Sequence, residues 1–150
     1  MNILITGIAG LLGSRLTDWI IENTNNSVIG IDDLSGGYKE NINPKAKFYK
    51  INLIDLECLE DIFEKEKPDI VFHFAAYAAE GLSPFIRKYN YENNLLSSTN
   101  LITKSIHHGV KRFVFASSMS VYGNRYQPPF SEDLPQYPMD PYGIAKFSVE

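Results

Sequence analysis

The segment Asn2-Ile3-Leu4-Ile5-Thr6-Gly7-Ile8-Ala9-Gly10-Leu11-Leu12-Gly13 runs from a short, mostly apolar strand candidate into a turn with three glycines at intervals of three. A helical pattern follows at once, with Leu12, Leu16, Trp19 and Ile20 forming one apolar stripe. A strand that ends in a glycine turn and reopens as a helix offers unpaired backbone N–H groups at the positive end of the helix dipole. Glycine removes the side chains that would keep a ligand phosphate away from those donors. Gly7, Gly10 and Gly13 are therefore candidate diphosphate-binding positions, although glycine-rich turns also serve as plain corners.

Outward from this segment, short apolar runs alternate with helical patterns. The further strand candidates are Val28–Ile31, Phe48–Ile51, Ile70–Phe74 and Phe113–Ala116. Several are apolar almost throughout, as suits strands covered by helices on both faces of a parallel sheet. Asp55 is placed to cap a helix with Leu59, Ile62 and Phe63 on its inner face, stopped by Pro68. A longer helix is expected from about Pro84 to His108, with Leu95, Ile102 and Ile106 facing in and Gly109 as its stop. His107 and His108 fall in its last turn, where a helix end favours positive charge; no cysteine or histidine cluster suggests a metal site. Gly123 to Pro141, rich in Pro, Tyr, Gln and Asp, reads as a long surface loop before a last helix that begins near Pro141.

Composition sets the outer limits. The chain has 150 residues, 44% of them apolar and 21% charged, enough to bury a core and unlike a disordered chain. Fourteen Lys and Arg against 18 Asp and Glu leave a net charge of −4, which argues against a nucleic-acid partner. No apolar run approaches the roughly 20 residues needed to cross a bilayer, the N-terminus lacks a basic signal-peptide start, and Cys58 is the only cysteine. A reducing, cytoplasmic compartment is expected.

Two further features point to chemistry. Asp32 and Asp33 stand at the end of the second strand candidate, Asp32 nineteen residues beyond Gly13. Carboxylates there accept hydrogen bonds from the hydroxyls of an adenine ribose and repel an extra ribose phosphate, which favours NAD over NADP. The second feature is the run Ser117-Ser118-Met119-Ser120 after the fifth strand, followed by Tyr142-Gly143-Ile144-Ala145-Lys146. Tyr142 and Lys146 share one helical face. Lowering a tyrosine pKa by about three units takes roughly 4 kcal/mol, on the order of what an ammonium about 4 Å away supplies at an effective dielectric near 20. Tyr142 is then a candidate base, Lys146 its activator and Ser118 a hydrogen-bond partner for a substrate hydroxyl.

Taken in order, these residues resemble the extended short-chain dehydrogenase/reductase family, in its branch of nucleotide-sugar epimerases and dehydratases. Thr6 to Gly13 resembles the family's opening turn, Ile31 to Gly37 its ribose-binding strand end, and Ser117 to Gly123 with Tyr142 to Lys146 its two catalytic segments. The resemblance implies a Rossmann-like doubly wound α/β sheet with NAD as cofactor. It also implies that Leu11 and Leu12 contact the diphosphate through backbone, that Asn52 and Leu53 lie beside the adenine, and that Phe74, Ala75 and Ala76 pass beneath the cofactor with Asn93 and Asn94 next to it. By the same likeness Tyr142 is the base, Lys146 also holds the cofactor ribose, and Ser118 contacts the sugar. Ala78 stands where some relatives carry lysine, and Pro129-Phe130-Ser131-Glu132 falls where relatives carry a loop glutamate.

The family's dehydratases use a carboxylate just after the catalytic Ser or Thr. Here those positions are Met119 and Ser120, which leaves oxidation and re-reduction at one carbon as the better fit. The expected activity is C4 epimerisation of a UDP-sugar through a 4-keto intermediate. A dehydratase or reductase of the same family and a noncatalytic NAD-binding module are the alternatives. The chain ends inside the helix of Tyr142 and Lys146, so residues 1–150 are expected to be the N-terminal, NAD-binding part of a longer enzyme whose sugar-binding part lies beyond, inactive or nearly so alone. Pairing into a homodimer through two helices of each subunit is implied by the family, with the long helix as one candidate.

Overall fold

The computed structural model describes residues Met1–Glu150. Their elements are β1 (Asn2–Thr6), α1 (Leu11–Asn23), β2 (Ser27–Asp32), β3 (Lys47–Lys50), α2 (Leu56–Glu66), β4 (Ile70–His73), α3 (Arg87–Tyr91), α4 (Ser97–His107), β5 (Arg112–Phe115) and α5 (Pro141–Val149). The five strands form one parallel sheet in the order β3-β2-β1-β4-β5. The strand order reverses between β1 and β4, the kind of switch point beside which open α/β sheets bind ligands.

The chain divides into two compact units, residues 1–76 with 100–116 and residues 77–99 with 117–150. The first holds the sheet. Alternate residues of its strands point to opposite faces, and both faces are covered. Leu4, Ile29, Ile31 and Val71 pack with Leu59, Ile62 and Phe63 of α2 and Leu101 of α4, while Ile3, Ile5 and Val28 pack with Ile8 and with Ile20 of α1. This is the doubly wound sheet expected of strands that are apolar almost throughout. The Asp55 side chain caps α2 by accepting from the N–H of Cys58 at 3.1 Å, and Lys67 closes that helix in the left-handed region at φ 47°.

In two helices the buried stripe departs from the apolar stripe. On α1, Gly13, Ser14, Thr17 and Ile20 are buried, while Leu12 and Trp19 are exposed. The cause is close approach: a Cβ on Gly13 would stand 2.2 Å from the carbonyl oxygen of Gly7, so α1 presents its small residues inward. The long helix begins at Arg87, three residues after Pro84, and its α-helical parts are separated by a π-helical turn over Glu92–Leu96. Its buried residues include Asn94, Ser98, Leu101 and Ser105, at spacings of four, three and four, and Ile106 is 71% exposed. Small polar residues serve on this face because each serine hydroxyl bonds the carbonyl four residues back, Ser98 to Asn94 at 2.6 Å and Ser105 to Leu101 at 2.7 Å.

In the second unit, Asp140 caps α5 through the N–H of Gly143 at 3.0 Å, and Pro141 occupies the first helical position. Met119–Tyr122 form a 3-10 turn, and the stretch from Gly123 to Asp140 carries no helix or strand, as its composition indicates. No helix is long and apolar enough to cross a membrane.

Candidate cofactor and catalytic sites

The glycine turn is shaped by contact with the end of β4. Gly7 has φ 72°, and a Cβ there would lie 2.7 Å from the Ala75 nitrogen and 2.9 Å from the Phe74 carbonyl carbon. Only glycine meets both conditions. The Thr6 hydroxyl fixes the same approach: its Oγ1 accepts the Ala75 N–H at 3.2 Å and lies in hydrogen-bond contact, at 2.7 Å, with Nδ1 of the fully buried His73. Phe74 and Ala75 are thereby held against the glycine turn, and Ala76, the next residue, is exposed.

Gly10 stands at the N-cap of α1, whose first turn has neither a side-chain cap nor an acidic residue. The first N–H groups of the helix, beginning with Leu11, Leu12 and Gly13, carry no side-chain cap, which leaves donors for an incoming diphosphate. At the end of β2 the Asp32 carboxylate is fixed by two backbone donors, Ala9 N–H to Oδ2 at 3.0 Å and Leu34 N–H to Oδ1 at 2.8 Å, and each oxygen keeps acceptor capacity for a ribose hydroxyl. Asp33 accepts the Ser35 N–H at 2.8 Å and the side-chain amide of Asn52 at 2.9 Å, while the Asn52 Oδ1 accepts the Ile54 N–H at 3.1 Å. Leu53 is 5% exposed and belongs to the core, and its carbonyl accepts from Asn100 at 3.1 Å. These residues suit NAD: a cradle that a Cβ would fill, donors for a diphosphate and a carboxylate for a ribose.

The second unit carries the other candidates. Tyr142 and Lys146 are both buried and share one side of α5, with the Lys146 Nζ 5.8 Å from the centre of the Tyr142 ring. Ser118 caps the Met119–Tyr122 turn, its Oγ accepting the Ser120 N–H at 3.2 Å, and its hydroxyl acts on the Tyr142 phenol. The three residues that the sequence joins only by pattern are therefore neighbours. The electrostatics differ from the expectation that Lys146 lowers the tyrosine. Burial pushes the Tyr142 phenol above its ordinary value; the nearby Ser118 hydroxyl opposes this, and the negative charges of Glu80 and Asp140 add to it. Burial also pushes Lys146 down to about 8. Desolvation disfavours phenolate and ammonium alike, so Tyr142 rests as a neutral phenol until further positive charge arrives.

Asn93 donates to the Tyr89 carbonyl of its own helix at 2.9 Å, whereas Asn94 turns inward. It accepts the Tyr77 N–H at 2.8 Å and donates to the Tyr77 carbonyl at 3.1 Å and to Oδ1 of Asn90 at 2.7 Å. Asn90 is fully buried and its amide nitrogen has no partner. The four-residue spacing of Asn90 and Asn94 is the one sequence signal of this pair. Glu80 has none, since its charge acts on Tyr142 through space from 62 residues away in the chain.

Residues 3–150 match the NAD dependent epimerase/dehydratase family. The chain is 38% identical to the UDP-glucose 4-epimerase of Streptococcus mutans and 34% identical to that of Bacillus subtilis; in both alignments all of this chain is covered, with 45% and 46% of the relative. It spans less than half the length of these curated relatives. Among solved structures, the UDP-glucose 4-epimerase of Thermotoga maritima with UDP-glucose aligns at a TM-score of 0.95 and 42% identity over 99% of this chain and 48% of that one. The Thermus thermophilus enzyme in complex with NAD aligns at 0.91 and 31%, over 99% and 48%. With a matching family over nearly every residue and a doubly wound sheet whose glycine turn suits a dinucleotide, the chain belongs to the NAD dependent epimerase/dehydratase family.

Proposed function

We propose that residues 1–150 are the NAD-binding and proton-transferring part of a UDP-sugar 4-epimerase, and that most sugar and nucleotide contacts come from chain beyond Glu150. The observation that carries this reading is that Tyr142 and Lys146 are both buried on the same side of α5, the Lys146 Nζ 5.8 Å from the centre of the Tyr142 ring, with Ser118 acting on the same phenol. Tyr142 takes the proton of the sugar C4 hydroxyl, Ser118 hydrogen-bonds that hydroxyl as the proton leaves, and Lys146 binds a ribose hydroxyl of the cofactor. NAD, when bound, would supply a reversible hydride acceptor for C4, and Tyr142 would return the proton to the C4 oxygen as the hydride comes back. The 4-keto sugar turns over between the two transfers, so the product differs from the substrate only at C4. Asp32, Asp33 and Asn52 orient the adenosine end, and the first turn of α1 binds the diphosphate. The S. mutans, B. subtilis and T. maritima relatives, each a UDP-glucose 4-epimerase, support a UDP-hexose as substrate. A homodimer in the cytoplasm belongs to the same reading.

A second reading has a specific observation behind it. Met119 and Ser120 leave elimination without a carboxylate at the usual place, but the charge of Glu80 acts on Tyr142 from another segment. A dehydratase would release a 4-keto-6-deoxy sugar. The deciding experiment incubates the full gene product with UDP-glucose and with UDP-galactose, with Tyr142→Phe as control. Interconversion without net consumption of NAD supports the epimerase; a 4-keto-6-deoxy product, or NAD consumed in step with sugar, refutes it. The isolated 150-residue chain is expected to bind NAD weakly and to turn over little or no sugar.

A further inference from the structure

We propose that Asn41 is a positioning residue for the cofactor: its side-chain amide fixes the Ala9–Gly10 peptide of the glycine turn, and through it the first N–H groups of α1 that receive the diphosphate. This rests on the reading that places the NAD diphosphate at that turn. All of the residues involved belong to the unit that holds the sheet.

Ala9 is fully buried within the glycine turn, and both of its backbone polar groups are bonded by residues far along the chain. Its N–H donates to Oδ2 of Asp32 at 3.0 Å. Its carbonyl accepts twice, from the Asn41 side-chain amide at 3.0 Å and from the Tyr38 N–H at 3.2 Å. Asn41 ends a single 3-10 turn, Lys39–Asn41, and its own N–H donates to the Tyr38 carbonyl at 3.0 Å, so both donors to Ala9 come from one small folded segment. That segment lies close: a Cβ on Gly37 would stand 2.6 Å from the Ala9 Cβ and 2.9 Å from the Ala9 carbonyl oxygen.

The peptide joining Ala9 to Gly10 leads directly into α1, and it is trans. A trans peptide points its C=O and N–H in opposite directions. With the Ala9 carbonyl drawn to Asn41 and Tyr38, the Gly10 N–H faces the Gly7 carbonyl, which it bonds at 3.0 Å. A half-turn of this peptide would break all three bonds and unmake the corner from which the uncapped N–H groups of α1 project. Glycine at position 10 offers little steric resistance to such a turn, so the donors on Ala9 supply it. Asp32 and Asn41 thus hold one residue from two sides. Asn43 also ties this segment to α1, but away from the glycine turn: its amide donates to Oδ1 of Asp18 at 2.7 Å.

The test titrates the full gene product, freed of bound nucleotide, with NAD and ADP by calorimetry and with adenosine by competition, and reads each variant's melting temperature alongside. Asn41→Asp keeps the shape of the side chain but sets a carboxylate against the Ala9 carbonyl. It should weaken NAD and ADP by about tenfold or more and adenosine by less than about twofold. Asn41→Ala, which leaves the Tyr38 donor in place, should weaken NAD and ADP by about threefold or more. In turnover the loss should fall on the KM for NAD rather than on kcat. Asn43→Ala should keep all three ligands within about twofold of wild type, whatever happens to its melting temperature. Equal losses in Asn41→Ala and Asn43→Ala, or equal losses for ADP and adenosine, make Asn41 a loop anchor only and overturn the proposal. Unchanged NAD affinity in Asn41→Asp also overturns it and leaves the diphosphate reading standing. If the wild type binds ADP no more tightly than adenosine, the diphosphate reading itself fails and the role of Asn41 falls with it.

Discussion

The Asn52 side-chain amide donates to Oδ2 of Asp33 across the ends of β2 and β3, at 2.9 Å. In the proposed reading both residues lie at the adenosine end of NAD, and the hydrogen bond makes them one unit. An aspartate at 52 would set two carboxylates against each other and remove the donor. Asn52→Asp should therefore weaken NAD binding by about 1–3 kcal/mol, and Asp33→Asn with Asn52→Asp should recover much of the loss by reversing donor and acceptor. Calorimetric titration of NAD into the single and double variants measures the coupling; simple additivity would show that the pair does not act as a unit.

At Gly13 the obstacle to any side chain is backbone. The added Cβ would meet Gly7 O at 2.2 Å and Gly7 C and Ile8 Cα at 2.8 Å. Gly13→Ala should destabilise the fold by at least about 1–3 kcal/mol, read from urea denaturation. Gly36, around which a Cβ meets nothing within 4 Å, is the matched control and should tolerate alanine.

Lys146 gives a pH dependence of known sign. Its folded pKa, near 8, lies below the ordinary lysine value of 10.5. Between those values the unfolded chain binds more protons, so this residue makes stability rise with pH across that window, and its full cost, on the order of 3 kcal/mol, applies below it. Lys146→Met should accordingly raise the melting temperature at pH 7, lose that advantage by about pH 10.5, and abolish turnover. A melting temperature at pH 7 equal to or below that of the wild type would contradict the burial account.

Tyr142 should answer to the cofactor. Burial and the charges of Glu80 and Asp140 hold its phenol above the ordinary value while no cofactor is bound. A pyridinium brought near would favour the phenolate. Ultraviolet difference titration against Tyr142→Phe should show one tyrosine whose ionisation moves to lower pH on addition of NAD, and moves less with reduced cofactor. If the two redox forms shift it equally, the positive ring is not the activating charge.

Some of this was legible in the chain because the cause is local. Alternation of apolar runs with helical stripes gives the doubly wound sheet, Asp55 caps its helix three residues from the N–H it binds, and a four-residue interval alone puts Tyr142 and Lys146 on one side of α5. The misread faces share a cause. Leu12, Trp19 and Ile106 are apolar and exposed, while Gly13, Thr17, Ser98 and Ser105 are small and buried, because close approach selects for size where a stripe records only hydrophobicity.

By itself, then, the sequence determined the layered α/β architecture, the glycine turn, the acidic strand end and the residue types that match the family, all set by periodicity and short-range stereochemistry. Only the tertiary structure decided that Asn52 serves Asp33, that Thr6 and His73 brace the end of β4, and that Glu80 bears on Tyr142. It also decided that the tyrosine starts out less acidic than an exposed one. Desolvation and through-space charge depend on what surrounds a group in three dimensions, and partners 19, 67 or 62 residues apart leave no periodic mark on the chain.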